Sequence, residues 1–281
     1  MLAARIRQVA HGIRVLPGLN KLEPVWKALH PTYERVIRGI AERQVRVMPG
    51  GEDQWRFDGR YHDFPYERIE PPVYRWIAQH VGPDTQFYDV GAFIGYHTLC
   101  AAKRVGASEG VFAFEPAPSN VEVLEHNLAL NKLAHRVRIF PVAVGDADRG
   151  SVSFYLRAGD PSTHSLARIE KVAHVASSAL TRVEVPLRSI DSIVDETKRP
   201  PTLMKIDVEG AECRVLKGAR ETLLEHRIPI ICAIHPLWLA NLGDDIETFL
   251  QLVRSCRYRA FDLSGVEKKS FDFEEVVLLP D

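Results

Sequence analysis

Residues 86–105, QFYDVGAFIGYHTLCAAKRV, read as a short apolar strand (QFYDV, 86–90), a turn with glycines at 91 and 95, and a helix (YHTLCAAKRV, 96–105). A strand that is apolar almost throughout is buried on both faces, as in a parallel sheet covered by helices. The alternation continues outward: VFAFE (111–115) precedes the helical segment NVEVLEHNLALN, and RIFPVAV (138–144) supplies a third strand. LMKID (203–207) precedes ECRVLKGARETLLEH, and PIICAIH (229–235) precedes DIETFLQLVRSC. The last two strands, YRAFDLS (258–264) and EEVVLLP (274–280), are joined by too few residues for a helical crossover. They are therefore expected to run antiparallel, completing a mostly parallel α/β sheet.

Two domains are expected: an N-terminal helical and hairpin extension over 1–84, and a sheet domain over 85–281 with an insertion at about 146–200. In the extension, Pro31 opens a helix through TYERVIRGIAERQV, VRVMPGGEDQWRF turns at Pro-Gly-Gly as a hairpin, and Pro71-Pro72 opens VYRWIAQHV. In the insertion, SVSFYL (151–156) and RVEVPLRSI (182–190) read as strands around the polar loop GDPSTHSLARIEKVAHVASS. A long polar loop of this kind is expected to act as a substrate lid, with His164 as a residue that swings over the site.

The 281 residues are 46% hydrophobic and 26% charged, enough for a full core, and the net charge of -1 argues against a general nucleic-acid binder. Residues 1–50 hold nine Lys/Arg against three Asp/Glu, so a contact of this basic segment, with Trp26, to a membrane surface or partner is an expectation. Cys100, Cys213, Cys232 and Cys256 form no C-x-x-C pair and are expected to be reduced core residues. The chain lacks the ~20 consecutive apolar residues of a membrane span, and its start is broken by Arg and Pro, so the expected compartment is the cytoplasm.

The chemistry concentrates at strand ends. Asp89 closes the first strand, and Gly91 and Gly95 permit a tight turn at the carboxyl edge where open α/β sheets bind ligands. A dinucleotide fingerprint needs glycines at G-x-G-x-x-G to admit a pyrophosphate, whereas Ala92, Phe93 and Ile94 fill this gap. S-adenosylmethionine, which carries no phosphate, suits the loop better: backbone N–H groups meet its carboxylate and Asp89 its ammonium. Glu115 ends the second strand where an acid accepts from both ribose hydroxyls, and Pro116 stops that strand. LMKIDVEGAE gathers Lys205, Asp207, Glu209 and Glu212 at the end of the fourth strand; Glu212 can equally serve the dipole of the helix it opens.

DVGAFIGYHT, FEP, N-x-x-L-N-x-L (127–133) and KIDVEGAE followed by LKGA together resemble the FkbM family of methyltransferases over about residues 85–236. The resemblance implies the seven-stranded Rossmann-like sheet of class I methyltransferases and S-adenosylmethionine as methyl donor. It also implies O-methylation of a hydroxyl on a sugar, glycan or secondary metabolite. Cofactor roles carry over to Asp89, Gly91, Gly95 and Glu115, with Ala92, Tyr96 and Pro116 beside them. CAIHP (232–236) departs from the pattern, because many members have a carboxylate just before this His.

Asp207 and His235 are the expected acceptor-handling pair, with Lys205 and Glu209 orienting them. Asp207 and Glu209 can also hold Mg²⁺, but no third ligand stands in a diagnostic spacing, so a metal-free route is expected. The competing readings are a non-catalytic protein of the same fold docking through its basic N-terminus, and an NAD-dependent oxidoreductase.

Overall fold

The computed structural model describes residues 31–33, 35–36, 39–61, 64–106, 108–157, 165–166 and 180–281. Trp26, His164 and most of the expected lid lie outside them. The chain forms two units, Met1–Pro71 with His126–Lys132, and Pro72–Glu125 with Leu133–Asp281.

The first unit contains the expected hairpin: β1 (Arg46–Val47) pairs antiparallel with β2 (Gln54–Trp55), turning through Gly50 and Gly51 at positive φ. Phe57 stacks on Tyr66 with ring centroids 3.6 Å apart. The asparagines of N-x-x-L-N-x-L work here. Asn127 Oδ1 accepts from the Asp58 N–H at 2.6 Å, while Asn131 accepts from the Arg56 N–H and donates to its carbonyl. These two side chains stand in for a strand partner at Arg56 and at the Asp58 N–H, just past the end of β2.

In the second unit, α1 (Pro71–His80) leads into β3 (Phe87–Val90), α2 (Tyr96–Arg104), β4 (Val111–Phe114), α3 (Pro118–Leu130) and β5 (Val137–Phe140). After an insertion come β9 (Leu203–Ile206), α5 (Glu212–Gly218), α6 (Arg220–His226) and β10 (Ile230–Ile234). They are followed by α7 (Pro236–Leu239), α8 (Ile246–Ser255), β11 (Tyr258–Phe261) and β12 (Glu274–Pro280). The seven-stranded sheet has the order β11-β12-β10-β9-β3-β4-β5, and β12 runs antiparallel to both its neighbours, as the short β11–β12 connection requires. Every residue of β3, β4 and β9 is buried, so the apolar runs cover both faces of the sheet centre.

Three details differ from the sequence reading. RIFPVAV is two strands: Pro141, with no N–H to donate, ends β5, and β6 (Ala143–Val144) pairs instead with β8 (Leu180–Arg188) in the insertion's sheet, beside β7 (Arg149–Arg157). The second insertion strand stops at Arg188, because Ser189 caps α4 (Ile190–Thr197) by accepting from the Ser192 N–H at 3.2 Å. ECRVLKGARETLLEH breaks at Ala219 into α5 and α6, next to Gly218, whose added Cβ would lie 1.9 Å from the Gly145 carbonyl oxygen.

That approach makes a prediction. Helix propensity favours Gly218→Ala by about 1 kcal/mol, but the clash is with backbone that cannot rotate away. The variant is expected to lose roughly 2 kcal/mol or more in urea unfolding; a gain in stability would contradict the packing.

Candidate active site

The carboxyl ends of β3, β4, β9 and β10 carry the site. Beyond β3, the N–H groups of Gly91 and Ala92 both donate to Phe114 O at 3.0 Å, folding the loop back over the end of β4. Gly91 has φ 82°, and a Cβ there would meet Asp207 O at 1.8 Å. Gly95, at φ 89°, brings the start of α2 against Leu124, which an added Cβ would strike at 2.4 Å. Gly91 is thus required by close approach to backbone as well as by its angle, and Gly95 by its angle, since the Leu124 methyl can shift.

Glu115 follows β4 directly and is buried. One carboxylate oxygen accepts from Ala117 N–H at 2.9 Å and Asn120 Nδ2 at 3.2 Å, and the other from Phe93 N–H at 2.9 Å. Burial pushes this carboxyl up to about 7, although those donors and Lys205 oppose the rise. Ala92 and Tyr96 are buried and Pro116 is half-buried along the same loop and strand end.

Asp89 is 0% exposed, contrary to the picture of a carboxylate offered directly to a ligand's ammonium. Its Oδ2 accepts from Thr98 Oγ1 at 2.6 Å, and its Oδ1 lies 3.5 Å from Lys205 Nζ. The reason is register: Asp89 pairs with Lys205 across β3 and β9, and both side chains turn under the loop. Lys205 Nζ also donates to the Gly91 carbonyl at 3.2 Å and stands 3.3 Å from Asp207 Oδ2. Lys205 therefore pins the glycine loop to the end of β9.

Asp207, Glu209 and His235 come together. His235 Nε2 is 3.3 Å from Glu209 Oε2 and 3.8 Å from Asp207 Oδ1. On the other side of the ring, Nδ1 bonds Glu212 Oε1 at 2.7 Å, an oxygen that also accepts from the Gly210 N–H at 3.1 Å. Glu209 and Gly210 both have positive φ, 54° and 98°, and this reversal turns the Glu209 carboxylate back toward the strand ends. A Cβ on Gly210 would come within 2.8 Å of Trp238. Burial works against the His235 cation, but the Glu212 hydrogen bond and the charges of Glu209, Glu212 and Asp207 raise it to about 9. Burial works against the Asp207 anion too, yet Lys205, His235 and His97 hold its pKa below the ordinary value. Burial drives His97 well below the usual histidine range.

The missing acid before His235 is therefore supplied from elsewhere, by Glu212 at the start of α5. Glu212 is 0% exposed, so it does more than complement a helix dipole. Its link to His235 spans 23 positions and left no local signal. Nor did the aromatic wall: Trp238 stacks parallel to His235 at 5.1 Å, and Phe273, 69% exposed, packs edge-on at 5.0 Å. Leu237 beside them is 85% exposed. From the insertion, Ser165 bridges to Tyr155 and donates its hydroxyl to the Glu209 carbonyl at 2.9 Å, so a described part of the expected lid does reach the site.

Comparison with known proteins identifies a family. The sequence model of the Methyltransferase FkbM domain matches residues 89–260. The chain is 30% identical over 161 residues to the hexuronic acid methyltransferase AglP of Haloferax volcanii, covering 56% of this chain and 59% of that protein. It is 28% identical over 156 residues to the methyltransferase sdnD of Sordaria araneosa, covering 47% and 60%. The chain thus spans about six tenths of the curated relatives it matches. A solved FkbM methyltransferase structure from Methylobacillus flagellatus KT aligns with TM-score 0.44 and 18% identity, covering 79% of this chain and 52% of that one.

Proposed function

The chain belongs to the FkbM methyltransferase family, and from that premise we propose that it transfers a methyl group from S-adenosylmethionine to a hydroxyl of a sugar or secondary metabolite. The observation that carries the cofactor is Glu115: a buried carboxylate, oriented by three donors, at the strand end facing the glycine loop. Ribose hydroxyls are donors that match it. The filled gap between Gly91 and Gly95 disfavours a pyrophosphate and with it NAD. The AglP name favours a sugar acid as one acceptor class.

Bound S-adenosylmethionine supplies an already activated methyl on a sulfonium. What remains for the chain is to align the acceptor and to receive one proton as the oxygen–methyl bond forms and the sulfur–methyl bond breaks. Asp207, with a quarter or less of its side chain exposed, presents Oδ1 toward His235 while Lys205 holds Oδ2. With His235 raised to about 9 among three carboxylates, the ring by itself is protonated near neutral pH and is a poor acceptor there. The proton is therefore assigned to the Asp207 carboxylate, which Lys205 and His235 keep ionised to receive it. Trp238, Phe273 and Leu237 provide an apolar wall beside it for the carbon face of the acceptor.

A pH dependence follows from Glu115. Its ionised form is the better acceptor for ribose hydroxyls, and its free-protein pKa is raised to about 7. Affinity for S-adenosylhomocysteine is expected to be flat above about pH 8 and to weaken about tenfold by about pH 6, since protonation then competes with binding. Calorimetry across that range checks it; a constant affinity would remove Glu115 from the cofactor site.

A further inference from the structure

In its geometry the Asp207–Glu209–His235 group offers more than the proton acceptor Asp207. One ligand atom from each residue lies within 4.8 Å of the others, with separations of 3.3 Å from Nε2 to Glu209 and 3.8 Å from Nε2 to Asp207. Ligands about 2.1 Å from one cation stand about 3.0 Å apart at right angles and about 3.4 Å apart at a tetrahedral angle. The 3.3 Å separation falls between these values, and the 3.8 Å separation is wider than both, so the Asp207 carboxylate would close in on the ion.

The orientation of the ring points to a cation. His235 is 5% exposed, and the wholly buried Glu212 takes its Nδ1, leaving Nε2 to face the two carboxylates. A carboxylate behind a ligating histidine is the usual means of fixing its tautomer and direction. Glu212 Oε2 is itself buried with no hydrogen-bond partner, so this carboxylate is held for the ring and the Gly210 N–H alone. Lys205 contacts Asp89 and Asp207, and His235 contacts Asp207, Glu209 and Glu212.

We propose that Asp207, Glu209 and His235 form a divalent-cation site, with Glu212 as the outer partner that orients His235. One nitrogen and two carboxylates are a donor set for first-row divalent ions such as Mn²⁺. The cation sits at the acceptor edge, beside Trp238 and Phe273, where its open positions are available to acceptor oxygens. That placement rests on the transferase reading above; cation binding itself does not.

The test is a Mn²⁺ titration of metal-stripped full-length chain without cofactor, followed by the electron paramagnetic resonance signal of free Mn²⁺. Saturable binding of one Mn²⁺ per chain is expected. Glu209→Gln and His235→Asn should weaken it by tenfold or more, and Glu212→Gln by about tenfold through the ring's orientation. Glu184→Gln, on the insertion's sheet, should leave it unchanged. Glu209→Gln is the deciding variant, because Glu209 is partly exposed and its replacement leaves the core intact. Urea unfolding of each variant reports whether the fold survives, and S-adenosylhomocysteine affinity is measured alongside it. Absence of saturable Mn²⁺ binding by the wild type, or an unchanged affinity in folded Glu209→Gln, overturns the site. Mn²⁺ bound at these residues in a chain that ignores S-adenosylhomocysteine would leave the cation site standing and remove the transferase reading.

Discussion

Gly91→Ala is expected to destabilise the protein by about 3 kcal/mol or more and to abolish cofactor binding. A residue with a Cβ held at φ 82° carries a left-handed penalty of about 1–2 kcal/mol. The larger part comes from contact: the new methyl would lie 1.8 Å from Asp207 O and 2.9 Å from its carbonyl carbon. Neither atom can rotate aside, because the Asp207 N–H is bonded to Val90 O at 3.0 Å and Lys205 ties the Gly91 carbonyl to β9. Relief requires prying β3 from β9 at the ligand edge. Urea unfolding and calorimetry with S-adenosylhomocysteine measure both effects; a loss within about 1 kcal/mol, or retained binding, would show that the loop is looser than this geometry.

Asp207→Asn should reduce methyl-transfer kcat by about a hundredfold or more, the usual scale for a group that moves a proton, while cofactor affinity stays within a few-fold. Asparagine keeps the shape of the side chain but cannot accept the proton or sustain the charge that His235 and Lys205 face. Cofactor contacts are spared, since Glu115 is oriented by Phe93, Ala117 and Asn120 and not by Asp207. Single-turnover rates with a saturating acceptor, compared with affinity for S-adenosylhomocysteine, separate the two. A full-speed variant would move proton transfer away from Asp207, and loss of both together would assign Asp207 to the loop's architecture.

Much of this fold was legible because a parallel sheet writes itself as apolar runs at strand length. QFYDV, VFAFE and LMKID were recognisable for that reason, and the short link before EEVVLLP dictated the antiparallel strand. Where one backbone atom or one cap decided, the pattern misled. Pro141 split a continuous apolar run, Ser189 began a helix inside an expected strand, and Gly218 broke a helix through a contact with Gly145 that no local periodicity encodes.

The site shows the same division. Gly91, Gly95, Glu115 and Asp207 stand at strand ends, where topology tells in advance that ligands sit. The inward turn of Asp89 depended on cross-strand register with Lys205, and the partnership of Glu212 with His235 on a pairing between the start of α5 and the end of β10. Sequence spacing is silent about both, since each joins residues brought together only by the sheet.

The account rests most heavily on Glu115 and the glycine loop as a site for S-adenosylmethionine. Isothermal titration of S-adenosylhomocysteine into the wild type and into Glu115→Ala tests it directly. Each lost charge-assisted hydrogen bond is worth roughly 1.5–3 kcal/mol, so one site per chain is predicted in the wild type and affinity about tenfold or more weaker in the variant. A wild type that binds NAD but not S-adenosylhomocysteine, or a folded Glu115→Ala with unchanged affinity, would contradict it.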